Sequence, residues 1–510
     1  MKSSLTFIAA LLFIVTAACD KTPQKVSVTG VSLDKSSLTI TVGSSEKLTA
    51  TVSPDNATSK TVRWKSDNES VATVDASGNV KGKSAGQATV TVITFDGGKT
   101  ANCAVTVKAK ENQGGEEGGE EGDEGGTEGG GTEEGDVNGL TRQQAEAKCA
   151  EVIAQWKKDN KSAMQANLDR LYVADEKGHK MKFLVDCYGD EPEGGHSLWI
   201  SLHGGGATTA TENDGQWQNQ QVMYRRANPP QPTEGYYISP RAFKDEWNMW
   251  WFKDNDYLFE QIIKTMVVLN DVNPDKVYLM GYSAGGDGVW RMAPRMADHW
   301  AAAAMMAGHP GHVSLLNVRN MPFTLWVGEK DKDYDRNTIV PQKAKELDEL
   351  QKADPEGYIH SVNVVAGMPH WMELEDAKAF PWMAEYTRNP YPNRVVWRQE
   401  GKDDEAKEAI RARFYWIAAP ANEVSSESLG KIAIANIDGN TVNIERCDYK
   451  GLTIYLNDKL VDLDKPVKVV YNGKTLFEGM VDRTEENIKA SFAEREDPSY
   501  IFCSRIDVKI

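Results

Sequence analysis

The 510-residue chain is poor in several things, and each shortage narrows what it can be. Its six cysteines and eight histidines form no C-x-x-C pair and no Cys/His spacing of a zinc site, so no metal centre is expected. Basic residues make no stripe of the kind nucleic acid requires, and no nucleic-acid partner is expected. After the first twenty residues no apolar run is long enough to span a bilayer. The net charge of −17 comes mostly from one place: eleven acids and no base lie between Glu111 and Asp136. The rest of the chain is only mildly acidic. Beyond Cys19 five cysteines remain (Cys103, Cys149, Cys187, Cys447 and Cys503), an odd number that cannot all pair internally. Cys447–Cys503 is a candidate pair within the last segment, since export permits disulfides. Five unpaired, buried thiols is the expectation that their scatter favours.

What is present begins with MKSSLTFIAALLFIVTAACDK. Lys2, an apolar core from Leu5 to Val15 and small residues before Cys19 read as an export signal over residues 1–18. Thr16-Ala17-Ala18-Cys19 resembles the bacterial lipoprotein box, although Thr16 stands where that box usually has leucine. The resemblance implies that Cys19 is lipidated and anchors the mature chain to a membrane of the bacterial envelope, facing the periplasm or the cell surface.

Residues 27–108 alternate apolar and polar positions between Gly, Asn, Asp and Pro breaks, the pattern of a small β-sandwich. VRWKSDNESVATVDASGNVKGKSAGQATVTV carries Trp64, Ser66, Val71, Ala72, Val74, Asp75, Gly78, Val80, Gly86, Ala88 and Thr89 at the positions of bacterial Ig-like group 2 domains, which it resembles. That resemblance implies a spacer or adhesive module. Residues 109–138, rich in Gly and Glu, offer nothing to bury and read as a self-repelling tether. Over 139–400 apolar runs alternate with helical segments, which predicts an α/β fold with a largely parallel sheet. LTRQQAEAKCAEVIAQWKKDN opens it as an amphipathic helix. Residues 401–510 read as a further small β-rich domain without a catalytic cluster.

Chemistry concentrates at the strand ends of the α/β segment, where such folds place their sites. KVYLMGYSAGGDGVW puts Ser283 between Gly281 and Gly285, after a strand and before a helix. That setting suits a nucleophile elbow, with the Ala284 amide facing an oxyanion. A serine hydroxyl needs a base and an oriented partner. Downstream, Asp331 ends a strand-like run and His370 follows another, in the order Ser…Asp…His. Asp333 and Asp335 stand close enough to compete with Asp331 for the acid's place. Upstream, SLHGGG places Gly204 and Gly205 where backbone amides can approach an alkoxide, and His203 is expected to hold that loop in shape. Asp287 is expected to support the turn.

Trp247, Trp250 and Trp251 crowd DEWNMWWF without periodicity, so an aromatic platform and a packed core stay equally open. Trp371 beside His370 is a further substrate-contact candidate. His309 and His312 follow a strand and either line the pocket or serve structure. His179, His196, His299 and His360 are expected at the surface or in satisfied polar contacts.

HGGG, GYSAGGDG, the G-x-x-D turn and GMPHW together resemble the α/β-hydrolase esterases that include polyhydroxybutyrate-depolymerase-like and feruloyl/acetylxylan esterases, over about residues 140 to 400. The resemblance implies an α/β-hydrolase fold, no cofactor, and a serine esterase in which Ser283 is nucleophile, His370 base and Asp331 orienting acid, with His203–Gly206 shaping the oxyanion hole. Acetyl or feruloyl esters on plant polysaccharide are the first expectation for substrate. Polyester or small acyl esters, a peptidase of the same fold, and a non-catalytic surface binding protein are the rivals.

Overall fold

A computed structural model of the chain describes residues 26–109, 139–400 and 410–510, apart from positions 58, 59, 61, 69, 76, 77, 95–97 and 207. The segment expected to be an export signal, Cys19, and residues 110–138 of the expected tether lie outside the described residues. The chain divides between residues 113 and 114 into two compact units.

In the first unit, strands Ser37–Thr41, Thr100–Lys108, Gly86–Thr94 and Val62–Ser66 lie in that order in one sheet, while Ser45–Lys47, Asn79–Gly82 and Ala72–Val74 form a second. Strict alternation explains the arrangement: Ser37–Thr41 exposes and buries residues in turn, so one face of each sheet is apolar. Leu38, Ile40, Val90 and Val105 from one sheet meet Ala72 and Val80 from the other in a single core.

The second unit is built on an eight-stranded sheet. Its strands are β1 (Tyr172–Ala174), β2 (Lys180–Tyr188), β3 (His196–Leu202), β4 (Gly235–Pro240), β5 (Val272–Tyr282), β6 (Ala302–Met306), β7 (Phe323–Gly328) and β8 (His360–Val365). They lie in the order β1-β2-β4-β3-β5-β6-β7-β8. The first two pairings are antiparallel and the rest parallel. Every residue of β3, β4, β6 and β7 is buried, as expected of parallel strands covered on both faces. The covering helices are α1 (Arg142–Arg170), α2 (Ala210–Val222), α3 (Lys253–Leu269), α4 (Ala284–Arg295), α5 (Arg336–Ala353) and α6 (Ala379–Ala384).

One helix is longer than its sequence pattern predicts, and another carries no such pattern. The opening helix runs on to Arg170, ten residues beyond the segment in which its amphipathic face was read. α2 has no apolar stripe at all; a Thr209/Glu212 capping box starts it, and it buries Asn213, Gln220 and Gln221.

The residues after 400 do not begin a separate body. Strand Arg394–Arg398, inside the segment assigned to the α/β domain, pairs with Ile432–Asp438 and so starts the five-stranded sheet of the C-terminal part. Its apolar run VVW carries no mark of a boundary. The C-terminal part also contains a helix, α7 (Glu485–Ala493), whose Phe492 meets Trp156 of α1 edge to face at 5.5 Å. Buried charges hold it to the sheet: Arg388 bonds Asp275 and Asp497, and Arg495 reaches Asp298 at 2.8 Å. The candidate disulfide is absent, because Cys447 and Cys503 are both free thiols facing the carbonyls of Tyr449 and Leu456. Cys103 is buried and free, whereas Cys149 and Cys187 are free but only partly buried.

Candidate active site

β5 ends at Tyr282 and α4 begins at Ala284, which leaves Ser283 alone to reverse the chain. It does so at φ 57° and ψ −120°, a region that residues with side chains avoid at a cost of about 1–3 kcal/mol. The Ser283 N–H donates to the Met306 carbonyl of β6 at 2.9 Å, and its carbonyl accepts from Asp287 at 2.9 Å. The flanking glycines are there because the turn is wedged between neighbouring strands. A Cβ on Gly285 would lie 2.1 Å from the Leu202 carbonyl oxygen, one on Gly286 2.4 Å from that of Met306, and one on Gly281 2.4 Å from that of Gly285.

His370 Nε2 stands 3.0 Å from Ser283 Oγ, and His370 Nδ1 stands 2.8 Å from Asp331 Oδ2. Asp331 is buried at the end of β7, where its N–H donates to the Gly328 carbonyl. Arg336 approaches its other oxygen at 3.6 Å. Asp333 and Asp335 point to solvent on the following turn, so the structure brings Asp331 alone of the three to the imidazole. Gly328 is a glycine for a packing reason: a Cβ there would lie 2.0 Å from the Pro369 carbonyl, and the His370 loop could not close on β7.

The Gly204–Gly206 loop passes directly over the serine, since a Cβ on Gly204 would come 3.3 Å from the Ser283 Cβ. Gly205 and Gly206 have φ +101° and +76°, left-handed values that suit glycine. Asn213 of α2 accepts from the Gly206 N–H at 3.0 Å and donates to Asp245 at 2.8 Å. His203 faces the Gly204 carbonyl through Nδ1 at 2.6 Å and accepts the Ala242 N–H on Nε2. Burial pushes its imidazole down to about 4, so it braces the loop as a neutral ring. Ala284 opens α4, and its N–H has no carbonyl to bond inside the helix.

The tryptophan segment splits. Trp250 is fully buried and donates to the His203 carbonyl at 3.0 Å, so as a substrate contact it is corrected to a prop beneath the loop. Trp251 is buried as well. Trp247 is 54 % exposed, with its backbone against Gly206, and Trp371 is 42 % exposed next to His370. His309 is half-buried: its N–H donates to Asp287 Oδ1 at 2.6 Å and its Nδ1 accepts from Gly311. Desolvation raises the Asp287 carboxyl above its usual range.

His196 pairs with Glu234, His299 with Asp298 and Glu260, and His360 with Asp348. His179 pairs with Asp175. Asp175, His179 and Asp254 bring possible ligand atoms within 4.8 Å of one another, with Lys177 on an Asp254 oxygen at 2.7 Å.

Two residues that sequence reasoning passed over belong to this site. Asn213 lies in a helix without apolar periodicity, so nothing local marked it. Tyr282 occupies the variable position of the G-x-S-x-G pattern; its hydroxyl donates to the His370 carbonyl at 2.5 Å and accepts from the Met372 N–H at 3.1 Å.

Comparison with known proteins places residues 27–105 in the family described as Bacterial Ig-like domain (group 2). The chain is 46% identical over 91 residues to an alpha-L-arabinofuranosidase of Bifidobacterium longum, covering 18% of the chain and 8% of that protein. It is 48% identical over 87 residues to an Ig-like virion protein of Serratia phage KSP90, covering 17% and 34%. The chain thus spans far less than two thirds of either relative. Among solved structures, a thermostable esterase aligns with a TM-score of 0.34 at 14% identity, over 67% of this chain and 80% of its own. A ferulic acid esterase aligns with a TM-score of 0.31 at 16% identity, over 42% and 95%. The functional reading rests on the geometry above.

Proposed function

We propose that this chain is a serine esterase of the α/β-hydrolase kind, cleaving carboxylic esters through an acyl-enzyme. One observation carries the reading: a serine held in a strained turn, 3.0 Å from an imidazole that is itself 2.8 Å from a buried carboxylate. Asp331 keeps the Nδ1 proton on His370, which leaves Nε2 free to take the proton of Ser283 Oγ as it attacks the ester carbonyl. The oxyanion that forms is met by the amides of Ala284 and of Gly204 or Gly205, whose positions are set before substrate arrives. His370 then protonates the leaving alcohol, and water repeats the sequence to release the acid.

Trp247, whose backbone lies against Gly206, and Trp371, next to His370 in the chain, are both exposed, and either indole would suit an acyl or alcohol part built on a ring. Acetyl or feruloyl esters on plant polysaccharide meet that description. Lipidation at Cys19, the Ig-like unit as stalk and the acidic tether would present the enzyme on the bacterial envelope, outside the cytoplasm.

The test is hydrolysis of p-nitrophenyl acetate, methyl ferulate and acetylated xylan by wild type and Ser283→Ala. Turnover is expected to fall by about 10⁴-fold or more in the variant, with the preferred ester naming the substrate class. Equal rates on the best ester would sink the assignment.

A further inference from the structure

Tyr282 sits between the two groups whose distance decides reactivity. It is the last residue of β5 and the residue before Ser283, yet its side chain leaves the strand and ends on the loop that carries His370. One phenol oxygen does two things there. It donates to the backbone carbonyl of His370 at 2.5 Å, and it accepts the backbone N–H of Met372 at 3.1 Å. The residue is buried, and its ring lies 5.9 Å from the imidazole centroid and 5.7 Å from the Trp371 ring. The His370 loop has few other ties to the serine. Pro369 and Met368 lean on Gly328, at the acid's strand, and Met372 is followed by two residues, Glu373 and Leu374, at positive φ.

We propose that Tyr282 is a positioning residue, which couples nucleophile and base by pinning the backbone that directly follows His370, at the His370 carbonyl and the Met372 N–H, to the serine's own strand. The inference rests on the esterase reading above. It adds that the variable residue of the serine turn sets the Ser283–His370 separation. Any movement of that backbone changes the 3.0 Å contact directly, and misplacement by about 1 Å can cost on the order of 10²-fold in rate. Phenylalanine keeps the ring and the packing but loses both bonds.

The experiment uses the full chain in five forms: wild type, Ser283→Ala, Tyr282→Phe, His370→Ala, and the last two changes combined. Hydrolysis of p-nitrophenyl acetate and the rate of covalent labelling by a fluorophosphonate are both measured. Labelling of wild type at Ser283, lost in Ser283→Ala, first establishes the esterase reading separately; no labelling of wild type would defeat that reading and this inference with it. Tyr282→Phe is expected to lower kcat and the labelling rate about 10- to 100-fold with KM within about twofold. In the His370→Ala background the same change is expected to alter the residual rate by less than about twofold, since the group Tyr282 acts through is gone. A merely structural tyrosine would lower the rate equally in both backgrounds. Equal losses, or no loss in either, would overturn the proposal while leaving the labelled serine in place.

Discussion

The two units treat backbone strain in opposite ways. Among the described residues of the Ig-like unit, positive φ falls only on glycines: Gly43, Gly78, Gly86 and Gly98. Among the described residues of the second unit twelve with side chains adopt it, including Ser283, Tyr334, Asp335, Glu373 and Leu374 around the candidate site. A module that only needs two apolar faces to meet can place glycine at every sharp turn and store no strain. A site that needs a hydroxyl at the sharpest point of a turn has to hold a side chain there, and the surrounding strands must over-determine it.

Perturbing each kind of position tests that contrast. The largest effect after loss of the serine is expected from Asp331→Asn, which leaves the shape but lets Nδ1 lose its proton acceptor. Turnover should drop by about 10³- to 10⁴-fold, read as kcat on the best ester. Gly205→Ala comes next: the new Cβ would lie 2.2 Å from Asn213 Oδ1 at φ +101°, so the loop proposed to offer its amides to the oxyanion must move. A fall of about 10²- to 10³-fold in kcat is expected.

His203 supplies a pH-dependent term. The unfolded imidazole takes a proton near 6.5, the folded one only near 4. In that window the unfolded state binds more protons, so this contribution is present above pH 6.5 and lost as pH falls toward 4, by about 3 kcal/mol. Asp376, pushed up to about 6 by burial, works in the other direction over part of the same range. The comparison is therefore between wild type and His203→Gln: the variant's unfolding free energy should decline less steeply from pH 6.5 to 4. The smallest effect belongs to the Ig-like unit. Gly43→Ala meets nothing within 4 Å, so only its φ of +87° opposes the change. About 1 kcal/mol of that unit's stability should be lost, with ester hydrolysis unchanged. Loss of hydrolysis there would break the contrast.

Much of this site was legible because its parts are local. Ser283 stands in a strand–turn–helix pattern, His203–Gly206 ends a strand, and chain order ranks acid and base after the serine. The choice among Asp331, Asp333 and Asp335 was not legible, since three acids within five residues differ only in which way the turn after β7 throws them. Nor was the difference between Trp247 and Trp250: three residues apart in an aperiodic loop, one is exposed and the other packs under His203. Asn213 was hidden in a polar helix, and the start of the last sheet at Arg394 was hidden in an apolar run that would fit either side of a boundary.

By itself, then, the sequence determined the periodicities: alternation that makes a sandwich, apolar runs between helices that make a parallel sheet, and glycines where chains must touch. These depend on neighbours a few residues away. Only the tertiary structure decided which carboxylate meets His370, which tryptophans stay in water, and that Tyr282 spans from the serine's strand to the imidazole's loop. Those contacts join residues far apart in the chain, and their geometry is set by how whole strands and loops stack rather than by any local preference.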